Sequence, residues 1–446
     1  MTVAVRRTLD SLTVPNYRRY FAGQIVSITG NWMQMVAEAW LIVSLTHSGA
    51  ALGITVGLQF LPILLLGALG GVFVDRHDKR RLLMVTQTLM AIPALALWGL
   101  TGSGVVEVWM VYALVLARGV ILAIDNPARQ TFVMELVGPD KVVNAVSLNS
   151  VIIHTARIAG PMFAGGLIAF VGVAPCFLFN SLSFAAMLIA LYGMDVKRLI
   201  TPERAPREPG QVRAAIAEVR ANPNLKIPLA MMAVIGTLAF NFQVLLPLFA
   251  KFTWHGTATT YAVLMAGMGV GSIAGALISG FRGSVTSRLL VGSAAVFGVA
   301  QLGAAVAPTE LVQLLVLAPV GAASVTFAAG VNSSLQLAAG AMRGRVMALY
   351  SVVFLGSTPI GAPIVGALAE SFGPRWGLVL GGLATLATAG AAALAYRRVA
   401  ALALAEPTSS ESWTCNTTSS SCGSSEARPR ATRRETSRSV APTAAR

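Results

Sequence analysis

Residues 51–100 read ALGITVGLQFLPILLLGALGGVFVDRHDKRRLLMVTQTLMAIPALALWGL. Two apolar runs, residues 51–74 and 82–100, flank one cluster of charge, Asp75-Arg76-His77-Asp78-Lys79-Arg80-Arg81. A run of about 20 apolar residues crosses hydrocarbon as a helix, because lipid offers the backbone no hydrogen bonds and the helix satisfies its own. The stretch therefore reads as two spanning helices joined by a short cationic loop, and it sets the pattern for the whole chain.

Of the 446 residues, 55% are hydrophobic and 11% charged, and the mean hydropathy is +0.71. A soluble domain carries about 25% charged residues, so a water-facing surface could hardly be covered here. The formal net charge is +15. The Lys and Arg residues sit in short loops between apolar runs and in the C-terminal tail, a topology signal that needs no nucleic acid or other polyanion to explain it. Cys176 lies in an apolar run, and Cys415 and Cys422 lie in a Ser-rich tail, with neither metal spacing nor a disulfide framework. The first hydrophobic stretch, preceded by Arg6, Arg7, Arg18 and Arg19, is too long for a signal-peptide core and has no small-residue cleavage site.

Outward from residues 51–100, the first span is expected at 21–44, the fourth at 106–124, the fifth at 142–170 and the sixth at 175–194. Spans seven to twelve start near 227, 259, 289, 311, 346 and 376, and the last ends near 396. The expected fold is thus an all-α polytopic membrane protein of about twelve transmembrane helices in two pseudo-symmetric six-helix bundles. Residues 1–194 form the N-terminal bundle, 195–226 a cytoplasmic linker, 227–399 the C-terminal bundle and 400–446 a disordered cytoplasmic tail. In the linker Val212, Ala215, Ile216 and Val219 recur at helical spacing, which predicts a short amphipathic helix. Loops after even-numbered spans hold the cations (Arg76 to Arg81, Arg129 and Lys141, Arg282 and Arg288, Arg343 and Arg345), while the others hold few. That asymmetry places both termini in the cytoplasm.

An internal repeat supports the two halves. Gly67-Ala-Leu69 is echoed by Gly275-Ala-Leu277, Asn126-Pro-Ala-Arg-Gln130 by Asn332-Ser-Ser-Leu-Gln336, and Gly160-Pro161…Gly165-Gly166 by Gly361-Ala-Pro363…Gly366, in the same order. Duplicated halves around a central site are the usual architecture for alternating access.

Polar residues inside spans are the candidate site. Gln24, Asn31 and Glu38 are spaced by seven, and Ser27 and Gln34 fall between them, so one face of the first helix is polar. Such a face belongs toward the bundle interior or a water-filled cavity. Glu38, in the outer half of its span, can bind a proton or a cationic substrate, or can be a hydrated residue near the interface. Arg118 sits in an apolar run, which implies a partner or a cavity. Asp125 lies two turns further on almost the same face and is expected to pair with Arg118 or Arg76. His154 and Arg157 share a face of the fifth span, where a histidine can relay protons or simply pack. Asn241 and Gln243, in the seventh span, are candidates for substrate hydrogen bonds or for helix–helix bonds. No nucleotide-binding loop and no nucleophile–base pair appears, so neither an ATP-driven pump nor an enzyme is expected, and no cofactor or metal is implied.

The segment Gly71-Val-Phe-Val-Asp75-Arg76-His-Asp-Lys79-Arg80-Arg81 resembles motif A of the major facilitator superfamily, whose glycine lets two helices approach and whose aspartate bonds across helix ends. Asp78 stands where the family usually has Gly, and the matching loop of the second half, residues 281–288, has no acid. Arg118 falls at the Arg of motif B, and Gly160-Pro161 with Gly165-Gly166 resembles a longer-spaced motif C, seen in antiporters. Asn31-Trp-Met-Gln34, Asp125-Asn-Pro127-Ala-Arg129-Gln130 and Arg343-Gly-Arg345 look like the branch of enterobactin exporters and macrolide-efflux proteins, with Asn31 where many of that branch have Asp. The resemblance covers the chain from about Asn16 to Tyr396. It implies a secondary transporter of a bacterial inner membrane, acting as a monomer in the bilayer and coupling protons to efflux of a small molecule such as a siderophore or a macrolide-like drug. Gly71, Asp75, Arg76, Lys79, Arg80, Arg118, Asp125, Arg129, Gly160 and Pro161 would then work the conformational change. A nutrient importer and a non-transporting sensor or assembly factor on the same fold are the alternatives.

Overall fold

The computed structural model describes residues 10–200, 211–282 and 286–405. Nearly all of them are helical. The first half comprises α1 (Pro15–Thr46), α2 (Gly49–Arg76), α3 (Lys79–Gly102), α4 (Val108–Val137), α5 (Val142–Phe170) and α6 (Ala174–Tyr192). The second comprises α7 (Pro223–Leu238, resuming as Phe242–Leu248), α8 (Ala258–Arg282), α9 (Ser287–Ala305), α10 (Glu310–Ala338), α11 (Arg343–Gly356, resuming as Thr358–Phe372) and α12 (Pro374–Ala405). A short helix, Gln211–Ala221, stands where the amphipathic linker helix is expected, with Val219 buried and Ile216 exposed. Residues 1–9, 201–210, 283–285 and 406–446, with part of the expected linker and most of the expected tail, lie outside the described residues; residues 400–405, expected to open the disordered tail, instead continue α12 to Ala405, their Ala and Leu being strong helix formers.

Eleven spans among the described residues are long and apolar enough to cross a membrane. The twelfth, α1, has 32 residues, ample length, but carries Arg18, Arg19, Gln24, Asn31, Gln34 and Glu38 within it. Its polar stripe, not its length, sets it apart. Short polar residues in the loops start the helices. Ser48, Asp78, Thr286 and Thr309 each accept a backbone N–H of the first turn, which satisfies one donor that the helix itself leaves open.

The two halves meet through α2 against α11 and α5 against α8. Small residues make that meeting possible. A Cβ on Gly53 would strike the Ala362 carbonyl, one on Gly49 the backbone of Gly366, and one on Gly165 the side chain of Ala262. Within each half the second and fourth helices cross closely as well: Gly70 lies on the Ala123 carbonyl between α2 and α4, and Gly275 on the Ala322 carbonyl between α8 and α10. Both halves thus use a glycine at this crossing, although the one that faces α4, Gly70, lies three residues beyond Gly67, the repeat's counterpart of Gly275.

Two spans depart from the expected continuous helices. α7 begins at Pro223 and is interrupted at Ala239-Phe240-Asn241. The carbonyls freed there are taken by side chains: Asn241 Nδ2 donates to Thr237 O at 2.7 Å and Gln301 Nε2 to Ala239 O at 3.2 Å. α11 breaks at Ser357, just before Pro359.

Candidate functional site

A cavity of about 640 Å³ lies between the halves. From the first half Trp32 of α1 and Ser150, His154 and Arg157 of α5 line it. From the second half the broken segment of α7 supplies Phe240, Phe242 and Gln243, α10 supplies Ser324, Asn332 and Ser333, and α11 supplies Tyr350 and Phe354. Phe240 and Phe354 meet edge-on at 5.9 Å, and Tyr350 stacks on Phe354 at 5.8 Å. One wall is therefore aromatic, and the facing wall carries the Arg157 guanidinium 5.0 Å over the Trp32 ring.

The chamber runs from Trp32 and Arg157, midway along α1 and α5, toward Ser150, Asn332 and Tyr350, which lie two turns or so from the face at which α1 begins. At the opposite face the halves are sealed. Glu370 of α11 accepts from Ser48 Oγ at 2.5 Å and from the Ala50 backbone N–H at 2.8 Å. Thr259 Oγ1 of α8 donates to Gly165 O of α5 at 3.2 Å. The structure is therefore the state open toward the face at which α1 begins.

Beyond the chamber wall lies a buried ion pair. Arg118 Nη2 donates to Glu38 Oε2 at 2.8 Å, and both residues are at most 3% exposed. Gln34 Nε2 donates to Glu38 Oε1 at 2.7 Å, and Gln34 Oε1 in turn accepts from Asn180 Nδ2 of α6. The Arg118 Nε has no partner among the described residues. A void of about 10 Å³ touches Glu38, Thr55, Gln59, Tyr261 and Gln243, about the size that holds one water molecule. Gln243 lines both this void and the chamber, so it alone of the site residues touches both compartments.

Asp125 does not pair with Arg118 or Arg76, contrary to expectation. Arg118 is engaged by Glu38 of α1, and helical side chains lean toward the helix N-terminus, which takes Arg118 away from a residue seven positions further on. Instead Asp125 is bonded by Arg129 Nε at 2.5 Å, Thr86 Oγ1 at 2.6 Å and Gln87 Nε2 at 2.8 Å. Lys79 bonds Glu135 of α4 at 2.5 Å, and Arg80 Nε donates to Leu191 O at the end of α6. The motif A loop thus ties α3 to α4 and α6 in this state, with Asp75 and Arg76 closing α2. Gly71 does not make the close helix approach expected of it: a Cβ there would meet nothing within 4 Å. One residue is about 100° of helix, and it is Gly70 that faces α4.

Of the α1 stripe, Gln24 bonds Asn149 of α5 at 2.6 Å, Asn31 bonds its own Ser27 carbonyl at 2.9 Å, and Gln34 joins the Glu38 chain. None of these three lines the chamber. Asn241 is buried at the break of α7, and His154, Arg157 and Gln243 line the chamber. Gly160 packs against Trp32 and Thr29 of α1, with Pro161 buried beside it. The sequence reading did not single out Trp32, Tyr350 or Asn180 as site residues. Trp32 lies inside the run Asn31-Trp-Met-Gln34 that carries part of the family resemblance, a signal that could have marked it.

Residues 7–422 match the family described as transmembrane secretion effector. The staphyloferrin A transporter of Staphylococcus aureus is 26% identical over 64% of this chain and 72% of its own length. The enterobactin exporter of Citrobacter koseri is 26% identical over 83% and 91% respectively. Among solved structures, a bacterial homologue of the human lysosomal transporter Spinster, in an inward-facing and unoccupied conformation, aligns with a TM-score of 0.66 at 13% identity, covering 86% of this chain and 97% of that one. The nucleoside transporter NupG aligns with a TM-score of 0.68 at 13% identity, covering 86% and 99%; at that identity the likeness is one of fold. A match over nearly the whole chain, on a twelve-helix fold with a chamber between its halves, places the protein in the transmembrane secretion effector family of the major facilitator superfamily, as a multi-pass secondary transporter and not an enzyme.

Proposed function

We propose that this transporter exports a small amphipathic molecule, of the siderophore or macrolide-like kind, in exchange for protons across a bacterial inner membrane. The cationic loops put both termini in the cytoplasm, so the chamber is open to the cytoplasm in this state and loads its cargo from there. Residues 1–194 and 227–399 are the two rocking units, and residues 195–226 join them.

The observation that carries this reading is the Glu38–Arg118 pair behind Gln243. Ion pairs held in a span are costly and mark ion pathways. A proton arriving on Glu38 cancels the carboxylate charge and leaves Arg118 without its counterion in a water-poor site. That state is costly, so protonation biases the packing of α1 against α4 and favours the opposite facing state. The names of the relatives, both siderophore transporters, support the cargo class. The variant motif C glycines at Gly160 and Gly165, each in close helix contact, support efflux over uptake.

Proteoliposomes with an imposed pH gradient test the coupling. The wild-type protein should move cargo uphill when the far side is acidic, and Glu38→Gln should retain downhill exchange while losing the response to the gradient. Flux indifferent to the gradient, or an unaffected Glu38→Gln variant, defeats the coupling.

A further inference from the structure

Arg157 stands apart from the other cations that the helices hold wholly or partly buried. Arg118 has Glu38, Arg129 has Asp125 and Lys79 has Glu135. Arg157 has no ion pair and no hydrogen bond among the described residues, and its Nε is buried without a partner. Its one directed contact is the Trp32 ring, a face that disperses positive charge without neutralising it. It lines the chamber together with His154, whose Nδ1 is likewise unpartnered.

The rest of the chamber lining carries no Asp or Glu. The nearest acid described above, Glu38, lies across Gln243 and is already bound by Arg118 and Gln34. A guanidinium in a spanning helix needs a partner or a cavity, and here the cavity is supplied while no acid among the described residues pairs with it. The opposite wall offers Phe240, Phe354 and Tyr350 as flat apolar surface.

We infer that the chamber selects an anionic aromatic cargo, its carboxylate or phenolate bound by Arg157 with His154 beside it, and its rings laid between Trp32 and the Phe240–Phe354–Tyr350 wall. Arg is suited to this, since its planar fork bonds a carboxylate with two parallel N–H donors. Cargo arriving in the chamber completes the ion pair that the protein leaves open. The inference deepens the export reading by naming the chemistry of the cargo, and rests on the chamber being the cargo site.

The test is equilibrium binding to the full-length protein in nanodiscs, by titration calorimetry with empty nanodiscs as the blank. The probes are naphthoate, its neutral amide naphthamide and the cationic naphthylmethylammonium. Naphthoate should bind tighter than the other two by about tenfold or more, the size expected of one charge-assisted pair in a site of low dielectric. Arg157→Gln should bring naphthoate down to the level of the amide, while Arg157→Lys keeps part of the preference. Equal or tighter binding of amide or ammonium by the wild-type protein, no saturable binding of any of the three, or an anion preference intact in Arg157→Gln overturns the inference. If Arg157→Gln does not fold, the wild-type series and Arg157→Lys decide. No gradient is present in this experiment, so an anion preference found together with gradient-independent transport would sink the proton coupling and leave the cargo assignment standing.

Discussion

Glu38 reads in the sequence as a carboxylate inside a span and Arg118 as a cation in need of a partner, for which its own helix offers Asp125; the partner it has is Glu38. Depth would have found it. Glu38 is eight residues from the far end of α1 and Arg118 ten residues from the same-side end of α4, so both sit at one level of the membrane and their helices are neighbours. Spacing within one helix is visible in a sequence; matching depth between helices requires the spans to be laid side by side. The pair makes an energetic prediction. Glu38→Ala removes the counterion and leaves a buried guanidinium, a change that costs about 3–5 kcal/mol. Removing both charges with Glu38→Gln and Arg118→Gln should recover much of that loss, since two neutral amides can bond each other and Gln34. Thermal unfolding in detergent, followed by tryptophan fluorescence, checks the order: Glu38→Ala lowest, the double variant between it and wild type. Additive losses would mean that the two residues do not interact.

At the level of the helix, the spans were legible because lipid leaves the backbone no alternative to the helix, and the long apolar runs therefore fix where the chain crosses. The interruption of α7 was not legible. Ala239-Phe240-Asn241 contains no Pro or Gly, and the break depends on Asn241 and Gln301 taking carbonyls that a continuous helix would have used, an arrangement that only the folded neighbours create. The motif A glycine shows the same limit at finer grain: the motif points to Gly71, yet the helix phase turns Gly70 to α4. The two glycines therefore separate motif from packing. Gly70→Ala drives a Cβ into the Ala123 carbonyl and should lower stability by about 1–3 kcal/mol, the usual cost of overpacking. Gly71→Ala meets open space and gains helix propensity, so it should be neutral or stabilising by up to about 1 kcal/mol. Thermal melting of the two variants reads this directly, and equal losses at both positions would place the contact elsewhere.

For the whole molecule, the pseudo-symmetry that brings α2 to α11 and α5 to α8 makes the sealed and open faces alternatives of one another. The glycine contacts Gly49–Gly366, Gly53–Ala362 and Gly165–Ala262 lie toward the sealed face, as do the bonds from Ser48 and Ala50 to Glu370. If the halves rock, that seal must open once per cycle, and the cargo must leave where Glu370 now holds α2 to α11. The bonds are few and lie near the water interface, so their loss should be cheap enough for turnover, whereas a covalent bridge in their place should not be. Ser48→Cys combined with Glu370→Cys, in a background with Cys176, Cys415 and Cys422 all replaced by Ser, brings two thiols to this seal. Joining them with a short methanethiosulfonate cross-linker should hold the state open to the face at which α1 begins. Cargo binding should survive, net transport in proteoliposomes should stop, and reduction should restore it. The binding arm matters because it separates a trapped transporter from a damaged one: a protein that still binds but cannot deliver has lost only the motion. Transport that continues with the bridge in place would show that the halves do not part at α2 and α11, and the cargo would then have to leave by some route other than a rocking of the two bundles.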